Sequence, residues 1–198
     1  MPLNYFKRRV HFTWLLLTII LFYLNLWPIG LLSLCFHALI LALARKRPMT
    51  FHDDQPDVDG LVLAPVSGRV KSVRSHVNHE VFGPDLLELE LRLPFWKEWG
   101  LFLPVAGEII DTLEKKEGFY VTILRPDGRR IGVALLKNIL RSGASLNLLP
   151  GDRGRTAALF GHFSFGGKVL LYLTENCEIL VQVNEQIIAG QTALAAEV

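Results

Sequence analysis

Few side chains in this sequence stand at spacings that support chemistry. His76 and His79 lie three residues apart in Ser75-His76-Val77-Asn78-His79-Glu80-Val81-Phe82-Gly83-Pro84-Asp85. Metal ligands use that separation, but the stretch lacks a convincing third ligand, so it reads as a surface loop and no metal is expected. His162, Ser164 and Lys168 cluster around a glycine pair in Gly161-His162-Phe163-Ser164-Phe165-Gly166-Gly167-Lys168-Val169. An imidazole, a hydroxyl and an amine around one turn make these three candidate ligand-binding residues. Arg153 and Arg155 are interleaved with glycines in Gly151-Asp152-Arg153-Gly154-Arg155. Planar guanidinium forks on such a loop could grip a phosphate, with a solvated loop as the competing reading. Phe95, Trp96, Trp99 and Phe102 surround Lys97 and Glu98. Burial in a β core is the default for such a run, and a membrane interface is the alternative. The only cysteines, Cys35 and Cys177, exclude a disulfide scaffold and a four-cysteine zinc site.

These residues must be positioned by a chain of 198 residues with 21 Lys+Arg, 19 Asp+Glu and a formal net charge of +2. That near-balance excludes a polybasic nucleic-acid protein and an acidic disordered tail. A hydrophobic content of 51% excludes disorder as the main state. The average conceals two regions: residues 1–47 carry six basic and no acidic residues, a net +6, and residues 48–198 carry a net −4. From Val10 to Ala44 there is no charged residue at all. One helix over that stretch would be roughly 50 Å long, well beyond a hydrocarbon core of about 30 Å. Asn25, Pro28 and Gly30 offer a break.

The pattern therefore predicts a membrane hairpin of two hydrophobic helices, 12–27 and 30–44, with Trp14 and Trp27 as interfacial residues. Lys7, Arg8 and Arg9 precede it and Arg45, Lys46 and Arg47 follow it, so both basic clusters fall on one side, which the positive-inside rule makes cytoplasmic. The second limb is short for a span, so a re-entrant or tilted hairpin is one form of this reading. A single tilted span and a cleaved signal peptide are the alternatives. Asn25 and His37 are expected in the turn and at the helix contact.

Residues 48–60 form a polar linker, and 61–198 read as a mostly β domain, a sandwich or barrel. Strands are expected at 61–66, 70–74, 86–92, 107–113, 119–124, 130–134, 168–173, 179–183 and 192–195. Pro126-Asp127-Gly128 and Glu175-Asn176 are expected hairpin turns, and 133–141 a helix. A weak repeat is visible: Leu63-Ala64-Pro65-Val66-Ser67-Gly68-Arg69-Val70 echoes Phe102-Leu103-Pro104-Val105-Ala106-Gly107-Glu108-Ile109. Proline sets φ on entry to a turn and glycine permits the reversal into the next strand. Residues 183–195 read as a third, related piece. Repeated units of this kind occur in lipoyl-type folds, but a lipoyl carrier needs an exposed lysine at a hairpin tip. The tips at 125–130 and 175–177 have none, which excludes that function.

The ordered set of motifs resembles the phosphatidylserine decarboxylase family in its short bacterial and archaeal form. That family has a hydrophobic anchor followed by a strand and a Ser-Pro-Ala-Asp-Gly turn, matched here by the apolar N-terminus and Leu63-Ala64-Pro65-Val66-Ser67-Gly68. Its Asp-Val-His, spacer, Pro-Val-Ser-Gly motif is similar to Lys97-Glu98-Trp99 followed by Pro104-Val105-Ala106-Gly107. An Ile-Ala-Gly element and following helix resemble Ile131-Gly132-Val133 and Leu136-Lys137-Asn138-Ile139. The final Phe-Gly-Ser motif resembles Phe165-Gly166-Gly167, continuing into Lys168-Val169. The likeness covers 61–195 and the anchor. It implies a decarboxylase-type β domain, a role in phosphatidylethanolamine synthesis, and a pyruvoyl enzyme. In that family the serine hydroxyl of Gly-Ser attacks the preceding carbonyl, and elimination leaves a pyruvoyl group that serves as electron sink for loss of CO₂.

The sequence departs from the family at each residue that such chemistry uses. Gly167 stands at the cleavage serine, Ser67 at the aspartate of the first motif, and Lys97 and Trp99 at the aspartate and histidine of the second. No Gly-Ser pair occurs anywhere in the chain. Ser164, the nearest hydroxyl, is three positions away and would face the opposite side of a strand. The expectation is a catalytically degenerate, unprocessed relative without a pyruvoyl group. Its expected partners are membrane phospholipid, an active decarboxylase or a second copy, and not nucleic acid. An active decarboxylase with an unconventional site and a lipid-independent membrane-tethered scaffold are the alternatives.

Overall fold

The computed structural model describes residues 8–43, 60–97, 99–137 and 144–197. Its contacts divide the chain into two units, residues 1–49 and 50–198. The first holds helices α1 (Arg8–Tyr23) and α2 (Trp27–Leu43). Between them Asn25 adopts φ 58°, and Pro28 sits in the first turn of α2, where its missing N–H leaves no bond unmade. Trp27 thus opens α2 and does not close α1. The helices touch through polar groups in an apolar sequence. Trp14 Nε1 donates to Ser33 Oγ at 3.0 Å, Thr18 Oγ1 lies 3.0 Å from the same hydroxyl, and the buried His37 packs on Trp14 and His11. Trp14 is therefore a helix-contact residue, whereas Trp27 is 60% exposed.

Among the described residues no helix is long and apolar enough to cross a membrane. At 16 and 17 residues, α1 and α2 span roughly 24–26 Å, short of a hydrocarbon core of about 30 Å. The described helices therefore do not support the expected transmembrane helix. Lys7, Arg45, Lys46 and Arg47 lie outside the described residues, as does most of the linker.

The second unit is mainly β. Its strands are β1 (Leu61–Leu63), β2 (Gly68–His79), β3 (Gly83–Leu93), β4 (Gly100–Phe102), β5 (Gly107–Lys115), β6 (Gly118–Leu124) and β7 (Arg130–Leu136). They continue with β8 (Ala144–Leu146), β9 (Arg153–Gly154), β10 (Leu159–Phe163), β11 (Gly167–Thr174), β12 (Cys177–Ile179), β13 (Gln186–Ile187) and β14 (Ala193–Glu197). An eight-stranded sheet has the order β13-β2-β3-β11-β7-β6-β5-β9, and two three-stranded sheets are β1-β14-β12 and β4-β10-β8. One apolar core joins all three sheets, with Leu89, Leu91, Val121, Leu135 and Leu171 from the large sheet and Val62, Leu101, Phe160 and Leu194 from the small ones.

The repeat is real and larger than its sequence trace. Leu63 N donates to Pro104 O at 2.8 Å, and the equivalent Phe102 N donates to the equivalent Pro65 O at 2.9 Å. The two small sheets share strand order and the same register shift, after Val62 in one and after Leu101 in the other. The large sheet reads as two matching four-stranded halves that meet at β11 and β7. One half, residues 100–163, is continuous. The other is split into 61–93 and 167–197, so the continuous half is inserted within it. The piece at 183–195 matches 150–161 and not the Pro-Gly segments: Glu185 accepts from Gln182 N at 2.7 Å, as Asp152 accepts from Leu149 N at 2.8 Å.

Three further expectations are corrected. Residues 133–136 lie in β7 and not in a helix, with 138–141 outside the described residues. Val133, Ala134 and Leu135 are buried on both faces of a central strand, and such a continuous apolar run carries no alternation to distinguish it from a helix. Pro126-Asp127-Gly128 does close a hairpin, between β6 and β7. Glu175-Asn176 does not, because β12 leaves the large sheet and pairs with β14. Finally, 75–85 is no loop: β2 and β3 run nearly to the tip of a long hairpin.

Gly68 and Gly107 open the strands after the two bends. A Cβ on either would collide with a neighbouring carbonyl, that of Arg92 or of Leu124. Replacement of either by Ala is expected to lower stability by about 1–3 kcal/mol in denaturant unfolding. Because the two positions are equivalent the losses should be comparable; a neutral substitution at one alone would contradict the equivalence.

Candidate functional site

The two junctions between the halves meet at one end of the large sheet. In the continuous half, Arg125 and Arg129 bracket the Pro126-Asp127-Gly128 turn, with Arg125 N donating to Arg129 O at 2.9 Å. The equivalent pair in the split half is Leu93 and Gly167, paired across β3 and β11. Residues 94–166 therefore occupy the place of a three-residue turn. The segments 94–99 and 164–166, which lead into and out of the inserted half, have no counterpart.

Gly167 begins β11. A Cβ built on it would overlap the ring of Phe163, which is fully buried. Before it, Phe165 and Gly166 have φ of 62° and 72°, an uncommon pair that turns the chain from a small sheet into the large one. Ser164 and Phe165 are turn residues, so strand alternation does not govern which way Ser164 points relative to Gly167. Gly166 fits against Pro94 and Phe95 N, 2.9 Å from where its Cβ would be.

Trp99 is fully buried, donates Nε1 to Phe95 O at 2.8 Å, and lies 5.2 Å from Phe165 by ring centroids. Its carbonyl accepts from Phe163 N at 2.7 Å. Ser67 precedes Gly68, which packs on Arg92 and Leu93 one strand from Gly167, and Ser67 Oγ accepts from Ala189 N at 3.0 Å. Positions 67, 99 and 167, which are far apart in sequence, thus gather around the end of β3. Lys97 is half-buried in the turn after Pro94, and Lys168 Nζ is 2.9 Å from Glu90 Oε2. The half-buried His162 lies on β10, opposite Gly100 and Ser145.

Arg153 and Arg155 are not part of this group. Arg153 is on β9, separated from β11 by three strands, about 19 Å along the sheet, and its Nε is 2.8 Å from Glu108 Oε2. Arg155 is exposed in the turn beyond it. The aromatic run divides: Trp99 and Phe102 are core, whereas Phe95 and Trp96 are 53% and 61% exposed. The exposure of that pair was half visible in the sequence, because Pro94 ends a strand just before them.

The histidine pair also divides. His76 Nδ1 lies 2.9 Å from Asp85 Oδ1 and 2.6 Å from Glu175 Oε1, so two carboxylates distant in sequence complete an exposed cluster. Their ordinary role is to hold a protonated imidazole. His79 instead stacks among Phe82, Tyr172 and Tyr120, at centroid distances of 4.8, 4.6 and 5.5 Å, over the outer face of the sheet.

The hydrogen bond from His76 Nδ1–H to Asp85 and the charge of Glu175 raise the His76 pKa above 6.5, whereas burial and the nearby Lys115 lower that of His79. The contribution of His76 to stability is full below pH 6.5 and is lost as pH rises through its raised folded value. That of His79 is full above pH 6.5 and is lost as pH falls through its lowered value. NMR titration should show the two midpoints on opposite sides of the free-histidine value, with Asp85→Asn moving His76 down and leaving His79 in place.

No protein-family model matches the chain. Curated relatives do. A phosphatidylserine decarboxylase proenzyme from Symbiobacterium thermophilum is 28% identical over 154 residues, 70% of this chain and 72% of the relative. One from Syntrophotalea carbinolica is 22% identical over 183 residues, 85% of this chain and 84% of the relative. One from Nitrosomonas eutropha is 24% identical over 188 residues, 87% of this chain and 81% of the relative. The chain is therefore similar to phosphatidylserine decarboxylase proenzymes over most of its own length and most of theirs.

Proposed function

We propose that this chain is a phosphatidylserine decarboxylase-like membrane protein of phosphatidylethanolamine biosynthesis that is neither self-processing nor catalytic. The similarity to decarboxylase proenzymes supports the pathway. One observation carries the loss of processing: position 167 is glycine, and the buried ring of Phe163 occupies the space of its missing side chain. Glycine has no hydroxyl to attack the Gly166 carbonyl and no β-carbon from which a pyruvoyl group could be formed. The residues present therefore do not fit the cofactor. The flanking positions agree, since Ser67 and Trp99 offer neither a carboxylate nor an imidazole where the family uses them.

The helices α1 and α2 form a hairpin in this reading, as their staggered contacts support: His11 with His37, Trp14 with Ser33, Phe22 with Gly30. Their outward apolar side chains, among them Phe12, Leu17, Leu32 and Leu39, seat the hairpin in one leaflet without a full crossing, basic flanks toward the cytoplasm. The β unit is a sandwich on the cytoplasmic side that binds phospholipid or an active partner enzyme.

Intact mass of the protein from its native membrane tests this. One species at 22.3 kDa is expected, with no fragment and no carbonyl trapped by borohydride and amine. A C-terminal fragment beginning near Gly167 would overturn the reading, and one beginning at Ser164 would favour an active enzyme with a displaced nucleophile. Gly167→Ser alone should not restore cleavage, and should lower stability by about 1–3 kcal/mol as Phe163 gives way.

A further inference from the structure

The outer face of the large sheet ends, beside Gly167, in a row of like charges. Arg69 on β2 is in register with Arg92 on β3, and Arg92 with Lys168 on β11. Residues in register on adjacent strands share a face with their Cβ atoms about 5 Å apart, where like charges repel. Glu90 relieves Lys168. Arg69 and Arg92 are exposed, and among the described residues no carboxylate lies within ion-pair distance of either. The neighbour beyond Arg69 is the neutral Gln186.

The same end carries open aromatic surface. Phe95 and Trp96 follow β3 within three residues, edge to face at 4.8 Å, and Phe165, 41% exposed, precedes Gly166 and Gly167. The packing of Gly166 against Phe95 N brings the two aromatic segments together.

Two unneutralised arginines in register and three exposed rings have one occupant in common, the headgroup layer of a bilayer that contains anionic phospholipid. Lipid phosphates neutralise the row, and aromatic rings are stable at the headgroup level. Residues 48–198 carry a net −4, so attraction to an anionic surface has to come from a local patch. We propose that Arg69, Arg92 and Lys168 with Phe95, Trp96 and Phe165 form a second membrane contact, which lays the junction around Gly167 on the bilayer. This rests on the membrane reading above and names the surface that the β unit presents.

The test uses the full chain with vesicles of phosphatidylcholine alone and of phosphatidylcholine with phosphatidylglycerol. The Trp96 signal is taken as the fluorescence difference between the parent and Trp96→Phe. With the anionic vesicles, brominated acyl chains should quench that signal and access of acrylamide should fall roughly twofold or more against neutral vesicles. Arg69→Gln with Arg92→Gln should abolish both effects, as should high salt, while co-flotation persists through α1 and α2 and the unfolding midpoint does not fall. Equal acrylamide access in both vesicles, or a double variant that behaves as the parent, overturns the proposal. So does equal protection of Trp96 by inorganic phosphate without vesicles, which would mark a site for free anions. A chain that floats with neither vesicle overturns this proposal and the membrane reading together. A fragment cut near Gly167 overturns the unprocessed reading alone.

Discussion

Two backbone hydrogen bonds organise the β unit. Pro65 and Pro104 have no N–H of their own, and each offers its carbonyl to the strand that leads into the other's bend, at Phe102 and Leu63. Each bond is worth only about 1 kcal/mol net, but both lie in the buried core, where an unmet N–H or carbonyl costs more than the bond itself contributes. The reciprocal pair holds the two bends back to back. The strands before the bends then go to the small sheets and the strands after them to the large one, and the core fills the space between. Gly68 and Gly107 begin the outgoing strands because the chain passes a carbonyl there with no room for a Cβ.

The candidate site follows from how that symmetry is broken. A chain cannot nest one half inside the other without opening a turn, and the turn that opens is the counterpart of Pro126-Asp127-Gly128. Its two exits, 94–99 and 164–166, have no equivalent, so the internal packing that constrains every paired position does not constrain them. There the structure collects the positive φ of Phe165, the buried Trp99, the exposed Phe95 and Trp96, and Gly167 under the ring of Phe163. The same comparison identifies residues that only look functional. Asp152, beside the arginines of a glycine-rich loop, has its equivalent in Glu185, and both carboxylates cap a turn by accepting a backbone N–H.

Strand positions with a polar side were legible residue by residue. The alternation of β3 is clear, and β11 was legible as a short apolar run bounded by turn residues. Of the short strands, β1 and β14 were expected, but β4, β8, β9, β10 and β13 were not: they have two to five residues, too few for a period to register, and they exist because a partner is in place. β7 misled for the opposite reason, since burial on both faces removes alternation. The apolar N-terminus was legible as helical, with its turn at Asn25. The break into two short helices was legible too, and only the bounds differ, since Pro28 starts the second helix within its first turn and so assigns Trp27 to α2.

By itself the sequence determined the division into an apolar helical N-terminus and a β unit, the Pro-Gly repeat, the likeness to decarboxylase proenzymes and the absence of a serine at 167. These are properties of residue type and order, and no neighbour in space can alter them. Only the tertiary structure decided that the repeat extends over the whole β unit, and that the Gly167 turn is the breach between its halves. It alone put Phe163 in the space of the missing side chain, paired His76 with Asp85 and Glu175 while stacking His79 among three rings, and set Arg69, Arg92 and Lys168 side by side. The physical reason is register: backbone hydrogen bonds bring together residues many tens of positions apart in the chain, and nothing local in the sequence encodes which ones.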